Sequence, residues 1–201
     1  MRTDEASTHD VVVVGGGVMG VWAAINARKL GASVALADQF PPAHEHGSSH
    51  GDGRIYRFAY IEDLYVDMME RSLPLWKELQ SFAGHPLLAQ TGGLQSAPCG
   101  TGRLSDQIAL YERRGIAYES LSAGEVNERF PQFRLTEGVD EAIYQHEFGV
   151  LFASKCISAA WRYAQSLGVE TVSPFRAAAL HQAKAKGGAG DSGRLVVDGT
   201  D

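Results

Sequence analysis

The sequence predicts an α/β fold built on a parallel sheet, and three neighbouring observations carry that prediction. Val11 to Val14 form an unbroken β-branched run, the pattern of a central parallel strand buried on both faces. Gly15, Gly17 and Gly20 follow at once as G-x-G-x-x-G. Residues 18–30 are then helix-compatible up to Gly31, and Ser33 to Ala37 make a second short apolar strand that ends on Asp38.

Strand, glycine turn, helix, strand and acid, with the acid about 23 residues after the first glycine, form the arrangement that holds a dinucleotide. Gly15 allows the tight turn, Gly17 lets a diphosphate approach the backbone, and Gly20 lets helix and strand pack closely. Val18 and Met19 open the helix, whose first N–H groups and partial positive charge face the phosphates. Asp38 accepts from the ribose hydroxyls, and its charge disfavours a 2′-phosphate, so the expected ligand is FAD or NAD and not NADP.

The next segment, QFPPAHEHGSSHGDGR, departs from a compact second βα unit. Pro41 and Pro42 forbid a helix, and the small residues after them read as a loop laid along a ligand, with backbone N–H groups and serine hydroxyls as donors. Gln39, Ser48 and Ser49 join the candidate cofactor-binding residues on that ground. His44, His46 and His50 also stand as H-x-H-x(3)-H beside Glu45 and Asp52. With no neighbouring cysteine or well-placed carboxylate cluster to complete a tetrahedral set, no metal is expected there. A solvated loop without a ligand is the plain alternative.

Residues 61–82 carry Leu64, Met68, Leu75, Leu79 and Phe82 at helical spacing, with Met68 and Met69 read as core filler and Pro74 expected to kink or divide the helix. Residues 90–97 read as a glycine-led strand, and Leu104 to Arg114 as a helix stopped by Gly115. Ser122 and Glu125 form an S-x-x-E capping box for a short helix ahead of Pro131. Within 144–152, GVLF reads as a strand. Residues 154–167 form a helix with Ile157, Ala160, Trp161, Ala164 and Leu167 on one stripe, ended by Gly168, with Cys156 beside the stripe as an inert buried thiol. Val169 to Val172 make a third parallel strand. FRAAAL then starts an antiparallel excursion, AKAKGGAGDSG turns it, RLVV returns it, and DGTD reads as a turn with no strand after it.

Composition removes several function classes. The chain has 201 residues, 44% hydrophobic and 21% charged, with a formal net charge of −6. That is ordinary globular usage, and no Lys/Arg run tracks a phosphate backbone, so nucleic acid is not an expected partner. No apolar stretch approaches the roughly 20 residues of a membrane span. The polar, acidic start fits neither a secretory signal nor a transit peptide, and the two cysteines, Cys99 and Cys156, imply no disulfide framework. The expected setting is intracellular.

The run GSSHGDGRIYRFAYIEDLY, with GGGVMG and VALADQF before it and QTGGLQSA, LSAGEVNERFP and GVLFASKCI after it, resembles the sarcosine oxidase branch of the FAD-dependent amine oxidases. That branch holds monomeric sarcosine oxidases, N-methyl amino acid oxidases and peroxisomal sarcosine/pipecolate oxidases, and SSHGDGRI with AYIEDLYVDMM looks nearest to the peroxisomal type. The H-G-x-x-R-I-x-R run is far more specific than the glycine turn. The resemblance implies FAD as cofactor, and a secondary amino acid and O2 as the small-molecule partners. The amine goes to an imine that hydrolyses, and O2 is reduced to H2O2. It places His50 and Arg54 against the flavin ring, where a fixed cation stabilises developing negative charge. It places Arg57 on the substrate carboxylate, for which a planar fork of donors is suited. Ion pairs of Arg54 or Arg57 with Asp52, Glu62 or Asp63 are the structural alternative. Ala177 becomes a candidate backbone contact to adenine.

The implied fold is a Rossmann-like FAD-binding domain with a parallel sheet, plus part of an inserted α+β substrate-binding lobe. Residues 1–88 form the first FAD-binding segment, 89–152 part of the lobe, and 153–201 the second FAD-binding segment. The excursion that does not return to the main sheet is read as an incomplete fold: the N-terminal portion of a longer chain, monomeric when full length. In the family the flavin-linking cysteine, a lysine associated with oxygen activation and a second carboxylate-binding cation lie beyond this chain, so these 201 residues are expected to hold FAD weakly and turn over poorly. A peroxisomal location would need a C-terminal targeting tripeptide, which Gly-Thr-Asp is not. The alternatives are an NAD-dependent dehydrogenase and a catalytically inactive fragment acting only as a binding partner.

Overall fold

The computed structural model describes residues 7–182 and 195–200. The chain opens with β1 (Val11–Val14), α1 (Val18–Lys29) and β2 (Val34–Ala37). After a long loop come β3 (Arg54–Tyr56), α2 (Asp63–Ala83), β4 (Leu88–Ala89) and β5 (Gly93–Pro98). These lead into α3 (Ser105–Arg114), β6 (Glu119–Ser122), α4 (Ala123–Arg129), β7 (Asp140–Gln145) and β8 (Gly149–Leu151). The described chain finishes with α5 (Ala153–Ser166), β9 (Glu170–Val172), β10 (Arg176–Gln182) and β11 (Leu195–Thr200). Two compact units result: one runs up to Asp52 and resumes at Ala153, the other spans Gly53–Phe152. Among the described residues, no helix is long and apolar enough to cross a membrane.

In the first unit β1, β2 and β9 lie in the order β1-β2-β9, all parallel, with Val11 opposite Val34 and Ala35 opposite Glu170. Parallel neighbours need a crossover, and α1 supplies the one between β1 and β2. Val21, Ala24 and Ile25 of α1 and Ala159, Ala160, Trp161 and Ala164 of α5 are buried in this unit. The expectation that β1 is buried on both faces does not hold: Val12 is 45% and Val14 55% exposed. Among the described residues β1 pairs only with β2, which makes it an edge, whereas β2 has a strand on each side and buries all four residues. A β-branched run reads alike in both places.

β10 and β11 form the antiparallel excursion, with Arg176 opposite Thr200 and Gln182 opposite Leu195. Asp198 to Thr200, expected as a turn, continue β11 instead. Gly199 is required there by packing, because a Cβ at that position would overlap the Phe175 ring. The AKAKGGAGDSG turn lies outside the described residues.

The second unit holds two antiparallel sheets, β3-β8-β4 and β5-β7-β6. Arg54 stands opposite Leu151 and so does Leu88, so β8 draws β3 and β4 into this unit. The compact units therefore part at Gly53, while the sequence reading carried the first cofactor-binding segment to residue 88. Pro74 does not divide α2, which is one helix from Asp63 to Ala83 and gives up the single backbone bond that proline cannot donate. Its buried face is not the expected stripe. Leu79 is buried, but Leu64 is 64%, Met68 55% and Phe82 44% exposed. Val66 and Leu79 are the buried residues, with Met69, Leu73 and Trp76 half-buried between them. Apolar residues occur on more than one side of this helix, so two stripes satisfy the same spacing.

The capping box forms as expected: Glu125 N–H donates to Ser122 Oγ at 3.2 Å, and the Glu125 carboxylate accepts the Ser122 N–H at 2.7 Å. The Ser122 N–H bond first, and then a bond that the Ser122 hydroxyl donates to the same carboxylate at 2.8 Å, hold the Glu125 carboxyl below its ordinary value. Ser122→Ala should lower stability by about 1 kcal/mol in urea unfolding at neutral pH. A carboxyl lowered in the folded state stabilises above its unfolded pKa and loses that effect as pH falls through its folded pKa. The difference between wild type and Ser122→Ala should therefore shrink in acid, and a penalty that grew in acid would contradict the cap.

Candidate functional site

The glycine turn is built from both neighbouring strands. Gly15 takes φ +102°, open to glycine and strained for other residues, and its N–H donates to Ala37 O of β2 at 2.8 Å. Gly16 N–H donates to Asp38 Oδ2 at 2.6 Å, and Gly16 O accepts from Trp161 Nε1 of α5 at 2.8 Å. Gly17 stands at the N-cap of α1, and the Val18 N–H behind it donates to Ser49 Oγ at 3.0 Å. A Cβ on Gly20 would overlap the Gly15 carbonyl, and one on Gly16 would overlap the Trp161 ring. A Cβ on Gly17 would stand 3.1 Å from Ser49 Oγ.

Asp38 is 8% exposed and its carboxylate is engaged by the backbone on two sides. Besides the Gly16 N–H it accepts the Phe40 N–H at 2.9 Å, and His44 Nε2 lies 3.5 Å from Oδ1. The carboxylate thus ties the glycine turn to the loop that follows β2. Four lone-pair sites on two oxygens leave it capacity for ribose hydroxyls.

These groups enclose a cavity of about 440 Å³. The turn from Val14 to Gly20 forms one wall and the loop segments 41–44 and 47–49 another, with Asp38, Ile157 and Trp161 completing it. Of the residues singled out from sequence, Gly15, Gly17, Val18, Met19, Gly20, Asp38, Ser48 and Ser49 line this one cavity. Gln39 is exposed outside the lining, as is Ala177 on β10. His50 is half-buried and also outside it. The end of the loop is clasped to α5, since Ser154 N–H donates to Gly51 O at 3.1 Å and Gly51 N–H to Ser154 Oγ at 2.9 Å. His46 stacks on Phe40 with centroids 4.0 Å apart, and among the described residues no group of three His, Cys, Asp or Glu could hold a metal ion.

Arg54 and Arg57 belong to the second unit and are exposed. Arg54 Nη1 donates to Gly53 O at 2.8 Å. Arg57 sits between two buried aromatic anchors. Tyr56 donates its hydroxyl to Met69 O at 3.3 Å, and Phe58 O accepts from Gln107 Nε2 at 3.5 Å. Gln107 also donates to the Tyr111 hydroxyl at 2.8 Å. Burial pushes the Tyr111 phenol up to about 12, against a pull from Gln95, Gln107 and the Arg57 charge. Asp63, one of the acids offered as a partner for Arg54 or Arg57, pairs with Arg113 at 2.8 Å and Arg114 at 3.4 Å.

Trp161 is the residue that sequence reasoning placed only on the apolar stripe. The missed signal was its indole N–H, a donor that needs an acceptor when buried. Cys156, by contrast, is buried as expected, and burial pushes its thiol up to about 11. At pH 8 that leaves roughly one thiol in a thousand ionised. Ellman's reagent should therefore titrate the exposed Cys99 in the native protein and Cys156 only after denaturation; two thiols reacting equally fast without denaturant would contradict the burial.

A family model described as "FAD dependent oxidoreductase" matches residues 10–199. The monomeric sarcosine oxidase of Bacillus sp. (strain B-0618) is 36% identical over 173 residues, which is 85% of this chain and 44% of that protein. The peroxisomal sarcosine oxidase of Mus musculus is 37% identical over 150 residues, 75% of this chain and 38% of that protein. The chain thus spans less than half the length of these relatives. In fold it is similar to NikD, an amino acid oxidase of nikkomycin biosynthesis, with a TM-score of 0.77 at 24% identity over 96% of this chain and 48% of that one. Glycine oxidase from Geobacillus kaustophilus gives 0.73 at 22% identity over 96% of this chain and 51% of that one. The family model is one of FAD-dependent enzymes and sets aside the NAD-dependent dehydrogenase alternative. With a glycine turn, helix and acid gathered on one cavity and a family match along nearly its whole length, the chain belongs to the FAD-dependent oxidoreductase family.

Proposed function

We propose that the cavity of the first unit takes the diphosphate and ribose of FAD, and that the protein serves the oxidation of secondary amino acids of the sarcosine and pipecolate type to imines, with O2 reduced to H2O2. The observation that carries this reading is the meeting of the glycine turn, the α1 N-terminus and Asp38 on one cavity of about 440 Å³, within the size range of cofactor sites. The fit is steric as well: the missing Cβ of Gly17 leaves the helix N-terminus open to a phosphate, with only a rotatable serine hydroxyl in front of it. Bound FAD would supply the hydride acceptor and the route of electrons to O2.

The chain's own residues bind and orient. Gly15, Gly17, Val18, Met19 and Gly20 cradle the diphosphate, Asp38 takes the ribose hydroxyls, and Gln39, Ser48 and Ser49 extend the bed. His50 and Arg54 are assigned to the flavin ring, Arg57 to the substrate carboxylate and Ala177 to adenine, on the likeness of the surrounding sequence to the sarcosine oxidases. Residues 89–152 serve as part of the substrate-binding lobe. A monomeric state at full length completes the reading, with a peroxisomal location on condition of a C-terminal targeting tripeptide, as the names of the mouse and human relatives suggest.

Purified protein dialysed to equilibrium against FAD tests the cofactor: visible flavin absorbance should accumulate with the protein, a readout that weak binding still gives. A chain that stays colourless at millimolar FAD overturns the reading. The substrate class is read separately, as peroxide formed from sarcosine, pipecolate or glycine by the FAD-loaded protein. Peroxide from glycine alone would move the assignment to primary amines.

A further inference from the structure

The G-x-G-x-x-G signature leaves its second position free, yet this chain has glycine there as well, at Gly16. Trp161 explains it. The indole of α5 lies where a Gly16 Cβ would be, and its Nε1–H donates to Gly16 O at 2.8 Å in a buried contact. The carbonyl of Gly16 and the N–H of Gly17 belong to the same peptide unit. In a trans peptide these two groups point in opposite directions. An indole that draws the carbonyl toward α5 therefore turns the Gly17 N–H the other way.

The N–H groups on either side of Gly17 are already engaged. Gly15 N–H is given to Ala37 O, Gly16 N–H to Asp38 and Val18 N–H to Ser49 Oγ. The Gly17 N–H has no acceptor among the described residues, and Gly17 lines the cavity. A half-buried backbone donor without a protein partner, beside a helix N-terminus, suits an anionic acceptor.

We infer that Trp161 is a positioning residue for the diphosphate: by holding the Gly16 carbonyl it fixes the Gly17 N–H as the donor offered to the ligand. The inference rests on the reading of this cavity as a dinucleotide site. Gly16 and Trp161 form a matched pair, since any side chain at position 16 would displace the ring, and any residue without an N–H at position 161 would free the peptide to rotate.

Binding of ADP and FAD to the 201-residue chain and to Trp161→Phe, by calorimetry, tests it. Phenylalanine keeps aromatic packing and removes the donor. Affinity for both ligands should fall roughly ten-fold, the effect of losing one well-aimed hydrogen bond to a charged group. A purely structural role would lower the melting temperature of the free protein and leave the affinity unchanged, and that result overturns the inference. Amide NMR of the wild type keeps the test intact if the variant does not fold. On ADP addition the Gly17 amide should shift strongly and the Gly16 amide little, because the latter is already bonded to Asp38; equal shifts overturn the inference. A wild-type chain that binds neither ADP nor FAD overturns the cofactor reading, and this inference with it. Tight binding with an unchanged Trp161→Phe overturns only the role of the indole.

Discussion

Gly20→Ala is expected to destabilise the first unit by about 2–3 kcal/mol and to weaken FAD binding roughly a hundred-fold. Helix propensity alone predicts the opposite sign, since alanine is favoured over glycine inside a helix by about 1 kcal/mol. Sterics decide it. The added methyl would overlap the Gly15 carbonyl and stand 3.3 Å from Val13 Cγ1, and the first of these is backbone that cannot rotate away. Relief requires α1 to lift from β1, which carries the helix N-terminus away from the phosphate position and strains the Gly15 N–H bond to Ala37. Against a typical net stability of about 5–15 kcal/mol the loss is visible as a lower urea midpoint. Gly17→Ala is the internal control. Its new methyl meets only Ser49 Oγ at 3.1 Å, a hydroxyl that can turn aside, so stability should change little while binding still falls. Equal unfolding midpoints for wild type and Gly20→Ala would show that helix and strand are less closely fitted than this geometry requires.

Local features were legible because their causes are local. The end of α1 at Gly31, the left-handed caps at Gly115 and Gly168 and the Ser122–Glu125 box all depend on residues within one or two turns of each other. What sequence did not disclose depends on partners far along the chain. That β1 pairs only with β2 among the described residues follows from partners far along the chain, and Val12 reads as buried until its sheet is counted. The choice between two apolar stripes on α2 is made by what packs against Val66 and Leu79. Asp198 to Thr200 read as a turn because Asp, Gly and Thr favour one, but pairing with β10 and the Phe175 ring beside Gly199 override that preference. The site shows the same division. Eight of the residues named from sequence line one cavity, whereas the Trp161 bond to Gly16 spans 145 positions and has no local signature.

Asp38→Ala is expected to produce the other large effect, and comparison with Asp38→Asn separates its two roles. The carboxylate is 8% exposed and satisfies the Gly16 and Phe40 N–H groups at 2.6 and 2.9 Å. Truncation leaves both donors without an acceptor in a nearly closed place, at about 1–3 kcal/mol each, so a total of about 2–6 kcal/mol is expected in urea unfolding. Asparagine keeps one acceptor oxygen and loses the charge. It can hold one of the two N–H groups but must turn its own NH2 toward the other, so roughly half of that loss should remain. For binding the order of effects depends on the ligand. Inorganic pyrophosphate makes no ribose contact, so Asp38→Asn should lower its affinity only as far as the turn loosens. ADP and FAD should lose about ten-fold more, because the hydroxyls lose an ionised acceptor. Equal losses for pyrophosphate and ADP would assign Asp38 to holding the turn alone. A loss confined to ADP and FAD, with unfolding unchanged, would assign it to the ribose alone. The short bond to Gly16 and the position of the carboxylate on the cavity wall are the reasons for expecting both.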